Sequence, residues 1–366
     1  MAFELTKIFW GFLTLLLVSN LQCNYLVEGV SQVPCLFIFG DSLLDTGNNN
    51  LLPTLSKVNY LPYGIDFPRG PTGRFSNGRN YADVVAELLG FEKYLPVPFA
   101  SATSGTDILK GVNYASGSSG IRDESGYTEG ARISLNLQLL NHKIIVARIV
   151  QILGNKELAA QHLSKCVYLV GIGSNDYANN YFLPQFYPTS RLFTPERYSI
   201  VLIQQLRLQL QTLYNLGARK LALSGLSLIG CTPYEVATYG TNGGPCVDNI
   251  NIAVQLFNTR LRSLVDDLNA NFSNFKSIYI NNYEIQSSTN ASSGNLIVRN
   301  ATCCEVVIGQ VRCIPFGNTC ANRNEYVFWD AFHPTEVASV AFASRAYKAL
   351  LPTDAYPYDI SQLALA

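Results

Sequence analysis

The residues best placed for chemistry are a serine near the start of the chain and an Asp–His pair near its end. Ser42 follows the apolar run Cys35-Leu36-Phe37-Ile38-Phe39 and the turn residues Gly40-Asp41. Such a run reads as a buried strand. A serine just past a buried parallel strand stands where an open α/β sheet holds its ligands, outside the carboxyl ends of the strands. Its hydroxyl is a weak nucleophile until a base takes the proton. The chain has three histidines, His142, His162 and His333. His142 lies in a helical run and His162 in a polar stretch before a strand, so both read as solvent-facing or capping residues. His333 follows Asp330 by three residues, beyond an apolar run ending at Trp329, and precedes Pro334, which suits the first turn of a helix. A carboxylate at that spacing can hold one ring nitrogen and leave the other to deprotonate the serine. Ser42 as nucleophile, His333 as base and Asp330 as orienter would form a serine-hydrolase triad.

A tetrahedral oxyanion also needs hydrogen-bond donors. Two segments offer them. Residues 111–120 run from a short strand into a small-residue turn, and residues 170–177 end a second strand with the amide of Asn175. The Gly-x-Ser-x-Gly elbow of the common α/β-hydrolases is absent, as are a His-Glu-x-x-His zinc motif, a Walker loop and a Gly-x-Gly-x-x-Gly dinucleotide fingerprint.

The elements that would position these groups alternate. Strands are expected at Leu36–Phe39, Val112–Ala115, Val167–Gly171, Lys220–Ser224 and Ser277–Ile280, with a further candidate at Tyr326–Trp329. Between them, Phe257, Leu261, Leu264, Val265 and Leu268 repeat with helical period. Pro195 opens another helix that closes at Gly217, and Ile144–Leu153 and Thr335–Leu351 behave likewise. Strand–helix alternation implies a mostly parallel sheet covered on both faces. No linker or internal repeat divides the sequence, so residues 31–366 read as one domain. The tail after Pro352 reads as a surface strap.

The 366 residues carry 26 basic and 26 acidic side chains, a formal net charge of zero. Nucleic acid is therefore not an expected partner, because binding it needs clustered Lys and Arg. Residues 8–27 are uncharged; Lys7, an apolar core and the polar Ser19-Asn20-Leu21-Gln22 describe a secretory signal peptide within residues 1–30, cleaved somewhere in 19–30. No other segment is apolar enough for a stable membrane span. Beyond Cys23, eight of the nine cysteines remain, and an even count in an oxidising compartment favours disulfides. Cys231 pairs with Cys246, and Cys303, Cys304, Cys313 and Cys320 staple one loop. Zinc in that cluster is the lesser reading. Cys35 and Cys166, in apolar runs, read as free buried thiols. Sequons at Asn271, Asn290 and Asn300 are candidate surface glycosylation sites.

Four blocks in order, Phe39-Gly40-Asp41-Ser42-Leu43 through Asn49, Gly111–Gly117, Ile172–Tyr177 and Phe328–Glu336, resemble those of the GDSL esterase/lipase family, the plant branch of the SGNH-hydrolase superfamily. The resemblance implies a flavodoxin-like α/β/α sandwich with a mainly parallel five-stranded sheet in the order 2-1-3-4-5. It implies the same triad, and an oxyanion hole from the Ser42 N–H, Gly117 and the Asn175 side chain. Two positions depart from the pattern: Ser118 stands where a second glycine is usual, and Glu305 follows Cys303-Cys304 in place of glycine. The expected activity is hydrolysis of a small-molecule, lipid or cell-wall ester through an acyl-enzyme, with no metal or organic cofactor. Acyl transfer to an alcohol would use the same residues. A non-catalytic binding protein on the same fold would predict a broken triad.

Overall fold

The computed structural model describes residues 31–92, 95–102, 105–241, 243–292 and 296–366, with the side chains of 289–292 left aside. The signal-peptide segment lies outside the described residues.

Among the described residues nine strands form in chain order: β1 (Leu36–Gly40), β2 (Val97–Pro98), β3 (Val112–Asn113), β4 (Val167–Gly171), β5 (Lys220–Ser224), β6 (Lys276–Ile280), β7 (Val298–Thr302), β8 (Tyr326–Phe328) and β9 (Ala355–Tyr356). Seven of them make one sheet in the order β2-β3-β1-β4-β5-β6-β9. The five central members, β3-β1-β4-β5-β6, reproduce the order 2-1-3-4-5, all parallel. The sheet is wider than the expected five strands: β2 extends one edge in parallel, and β9 adds an antiparallel strand at the other. β8 does not join it. That strand pairs with β7 in a separate two-stranded ribbon.

The helices that bear on the site are α1 (Tyr81–Leu88), α2 (Leu135–Leu153), α3 (Lys156–Lys165), α4 (Pro195–Asn215), α5 (Pro233–Tyr239), α6 (Asp248–Asn271), α7 (Asn282–Ser292), α8 (Glu336–Tyr347) and α9 (Ile360–Leu365). Their starts are chemically marked. Thr194 accepts a hydrogen bond from Arg197 N–H with Pro195 at the first helical position, and Asn80 and Asp83 form a capping box. α8 starts at Glu336, one residue after the expected Thr335, which is instead the cap and accepts from Ala338 N–H; Pro334 therefore lies before the helix and not in its first turn.

Strand alternation sorts the core into two layers. Phe37, Phe39, Tyr168 and Val170 face α2, α3, α4 and α6. Leu36, Ile38, Val167 and Leu169 face α1, α8 and α9. The C-terminal tail is thus part of the fold and not a surface strap: β9 closes the sheet, and Ile360 and Leu363 are fully buried. Apolar residues at i and i+3 gave α9 a face that only the sheet could cover.

All eight cysteines of the described residues are paired: Cys231–Cys246, Cys303–Cys320, Cys304–Cys313 and Cys35–Cys166. The last corrects the free-thiol expectation. Parallel pairing sets Leu36 opposite Val167, which brings the preceding cysteines side by side with Cα atoms 4.7 Å apart. With the 303–320 sulfurs bonded to one another, no thiolate there is left for zinc. No helix among the described residues is long and apolar enough to cross a membrane.

Candidate active site

Ser42 lies just beyond the carboxyl end of β1, an interior strand flanked by β3 and β4. Its turn is built locally: Leu44 and Asp45 N–H donate to Asp41 C=O at 3.1 and 3.0 Å, and Leu43 N–H donates to Asp41 Oδ1 at 3.1 Å. Gly40 must be glycine for want of space, because a Cβ there would lie 2.5 Å from Gly171 O on the neighbouring strand. The buried Gln138 amide grips this strand end from α2, accepting from Gly40 N–H at 2.9 Å and donating to Gly40 O at 2.8 Å.

His333 and Asp330 arrive on the loop after β8, closed by Trp329 N–H donating to His333 O at 2.8 Å. Asp330 Oδ1 accepts the backbone N–H groups of Phe332 and His333 at 2.9 and 2.7 Å, and its carboxylate lies 2.8 Å from His333 Nδ1. The other ring nitrogen, Nε2, is 2.8 Å from Ser42 Oγ. Burial works to raise the pKa of Asp330, but His333, its two hydrogen bonds and the Tyr63 hydroxyl outweigh it and hold the carboxyl below its ordinary value. An anionic Asp330 accepts a hydrogen bond from Nδ1–H, which fixes that tautomer and leaves Nε2 to accept from the serine. Phe75 packs against the imidazole with ring centroids 4.7 Å apart. The Tyr63 phenol donates to Asp330 Oδ2 at 2.6 Å. Nothing in the local sequence marks Tyr63, which reaches Asp330 across 267 positions.

The free backbone donor on the turn after β3 is one residue displaced from the expected Gly117. Gly117 N–H is taken by Asp45 Oδ2 at 3.1 Å, and Gly117 O accepts from Asn49 Nδ2. Gly117 therefore has no free donor to offer. The next residue, Ser118, holds a left-handed backbone with φ of 62°, and its N–H has no acceptor among the described residues. The Ser42 N–H likewise has none. Asn175 Nδ2 spends one hydrogen on Ser119 O at 3.0 Å and keeps a second, while its Oδ1 accepts from Asn179 Nδ2 at 2.6 Å. Ser42, Ser118, Asn175 and His333 line one cleft. Its far wall is polar: Arg312, beside the disulfide-bonded Cys313, pairs with Glu129 at 2.7 Å.

The other histidines do not reach this cleft, and neither is solvent-facing. His142 is fully buried among Phe37, Phe39, Tyr114 and Tyr168, with Nδ1 3.0 Å from the Tyr114 hydroxyl. Burial pushes its pKa down to about 3, so it is a neutral core residue. Its face of α2 turns inward, which position in a helical run alone does not reveal. His162 is half-buried against Cys35, with Nε2 3.3 Å from Sγ. Asn271 and Asn300 are exposed, and Asn290 lies in α7.

An open α/β sheet whose carboxyl edge carries a serine, a histidine and a buried carboxylate hydrogen-bonded in series has the architecture of a serine hydrolase. The chain belongs to the GDSL-like lipase/acylhydrolase family, whose model matches residues 36–346. Three Arabidopsis thaliana proteins, each named GDSL esterase/lipase, are similar to it. One is 53% identical over 92% of this chain and 93% of its own length, a second 51% over 95% and 96%, and a third 52% over 90% and 92%.

Proposed function

We propose that this protein is a secreted serine esterase that hydrolyses carboxylic esters through an acyl-enzyme on Ser42. The observation that carries the reading is the His333 imidazole, 2.8 Å from Ser42 Oγ on one side and 2.8 Å from the Asp330 carboxylate on the other. Ser42 Oγ attacks the ester carbonyl carbon as its proton passes to His333 Nε2. The carbonyl oxygen becomes an oxyanion facing the N–H groups of Ser42 and Ser118 and the spare Asn175 hydrogen. Collapse breaks the bond to the alcohol, which leaves with the proton from Nε2. Water then attacks the acyl-enzyme with His333 again as base, releasing the acid and restoring the serine. Asp330 keeps the imidazole in the required tautomer throughout.

Secretion is supported by the apolar leader in the sequence and by four disulfides, which persist in oxidising compartments. Glycans on Asn271, Asn290 and Asn300 follow from that route. The test is Ser42→Ala in the purified protein. Turnover of p-nitrophenyl acetate and covalent labelling by a fluorophosphonate both disappear while the melting temperature holds. Near-wild-type hydrolysis by the variant would refute the nucleophile.

A further inference from the structure

Nothing within its own residue fixes the direction of the Ser118 N–H. Residues 114–126 form neither strand nor helix, so no regular ladder holds them. Ser118 has a φ of 62°, in the left-handed region that disfavours every residue with a Cβ. Its N–H has no acceptor among the described residues. A residue held in such a conformation persists only where the surrounding structure over-determines it. The contacts that do so lie on either side of Ser118.

Two fully buried carboxylates supply them. Asp45, three residues after Ser42, accepts Gly47 and Asn48 N–H on Oδ1 at 2.7 Å each, which closes the nucleophile's own turn. Its Oδ2 accepts Gly117 N–H at 3.1 Å. Asp176, next to Asn175, accepts Ile121 N–H on Oδ2 at 2.8 Å. Its Oδ1 accepts Arg122 N–H at 3.1 Å and the Ser125 hydroxyl at 2.6 Å. The backbone lies flush against this carboxylate: a Cβ on Gly120 would stand 2.8 Å from both its oxygens. Every one of these partners donates, and only an ionised carboxylate accepts at both oxygens. Burial raises both carboxyls to about 6, which leaves them ionised at mildly alkaline pH.

We propose that Asp45 and Asp176 are positioning residues of the oxyanion hole, holding the 116–125 turn from its two ends so that the Ser118 N–H faces the oxyanion as it forms. The inference rests on the ester-hydrolase reading above and deepens it. The three donors, Ser42 N–H, Ser118 N–H and the Asn175 amide, stand on three separate segments. Asp45 ties the first segment to the second, and Asp176 ties the second to the third. Donors stabilise a developing charge only if they are aimed before it appears, and small misplacements are costly. Asparagine keeps the shape of either carboxylate but exchanges one accepting oxygen for an NH2 group. At position 45 the remaining oxygen can serve Gly47 and Asn48, which sets the NH2 against Gly117 N–H. At position 176 the NH2 meets Ile121 or Arg122 N–H. Either clash pushes the turn away, and Ser118 moves with it.

The experiment compares the purified full-length protein with Asp45→Asn and Asp176→Asn at mildly alkaline pH. Two quantities are read on the folded proteins: turnover of p-nitrophenyl acetate and inhibition by butylboronic acid. Ser42 Oγ adds to boron as its proton passes to His333, giving a tetrahedral anion with an oxygen in the oxyanion hole. Each variant is expected to lose about 10–100-fold in kcat, less than or equal to the loss of one whole donor, with KM within about twofold. The boronate inhibition constant rises by the same factor, which a merely structural role would not produce. Ser125→Ala is the milder variant, removing a hydroxyl that donates to Asp176 and accepts from Asn180 Nδ2 while leaving both carboxylates. It should lower kcat and boronate affinity together by about threefold or more, and it decides the matter if the asparagine variants do not fold. Folded variants with kcat within about twofold of wild type overturn the proposal. So does a fall in kcat with boronate affinity unchanged. A wild type that cleaves no ester sinks the esterase reading beneath, whereas an active wild type with unimpaired variants sinks only the positioning role.

Discussion

Replacing Asn175 by alanine tests the oxyanion hole, and the structure supplies both sides of the ledger. The amide stands in the turn Ser174–Asp176 just past β4, whose last residue Gly171 pairs with Gly40 beside the nucleophile. One Nδ2 hydrogen goes to Ser119 O at 3.0 Å, and Oδ1 is fixed by Asn179 at 2.6 Å. The second Nδ2 hydrogen is the proposed donor to the oxyanion. Losing such a donor costs about 10²–10³ in kcat, or roughly 2.7–4 kcal/mol of transition-state stabilisation. The two structural hydrogen bonds are worth about 0.5–1.5 kcal/mol each. A folding loss of about 1–3 kcal/mol is therefore expected as well, seen as a drop of a few degrees in melting temperature. The two effects separate in the assay. Steady-state kinetics on a short ester should show kcat reduced about 100-fold or more with KM nearly constant, because the interaction strengthens only as charge develops on the carbonyl oxygen. A kcat within about threefold of wild type, alongside the lowered melting temperature, would leave Asn175 as a turn-stabilising residue and refute the donor role.

Tyr63→Phe removes the 2.6 Å hydrogen bond to Asp330 Oδ2 and, with it, the acceptor of Cys313 N–H at 3.2 Å. Hydrogen bonds to charged groups are worth about 1.5–3 kcal/mol, and about 1.4 kcal/mol is tenfold in rate, so kcat should fall by about tenfold or more through a less firmly held His333; an unaltered kcat counts against this positioning role. Glu235, at the start of α5, has both carboxylate oxygens buried without a hydrogen-bond partner among the described residues, and burial raises its pKa from 4.5 to about 8. Between those values the unfolded chain has released a proton that the folded chain retains, so this group makes stability fall as pH rises from 4.5 to about 8. At 1.36 kcal/mol per unit the full effect is at most about 5 kcal/mol. Glu235→Gln should accordingly be little changed in melting temperature at pH 5 and clearly higher at pH 8.5; parallel curves for the two proteins across that range would refute the assignment.

Much of this protein is legible in short stretches of its sequence. Apolar runs and helical repeats mark the five central strands and the long helices, because which side chains share a face depends only on periods of 2 and 3.6 residues. The Asp330–His333 pairing is local too: three residues of turn bring the carboxylate to both the ring and the backbone N–H of His333. The position of Ser42 beyond β1 follows from the strand that precedes it. What tertiary structure decided has the opposite character, being set by contacts far apart in the chain. Asp45 takes the N–H of Gly117 across 72 positions and so moves the free donor to Ser118. The parallel register of β1 with β4 joins Cys35 to Cys166 across 131. The aromatic packing around His142 holds it neutral in the core, and the sheet edge turns the C-terminal tail into buried structure. A cavity beside Leu43 and Pro334 exists only where α1, β5, α7 and α8 meet. Local periodicity determines what each segment can be, whereas the partner of each polar atom depends on which distant segments the packed core brings against it.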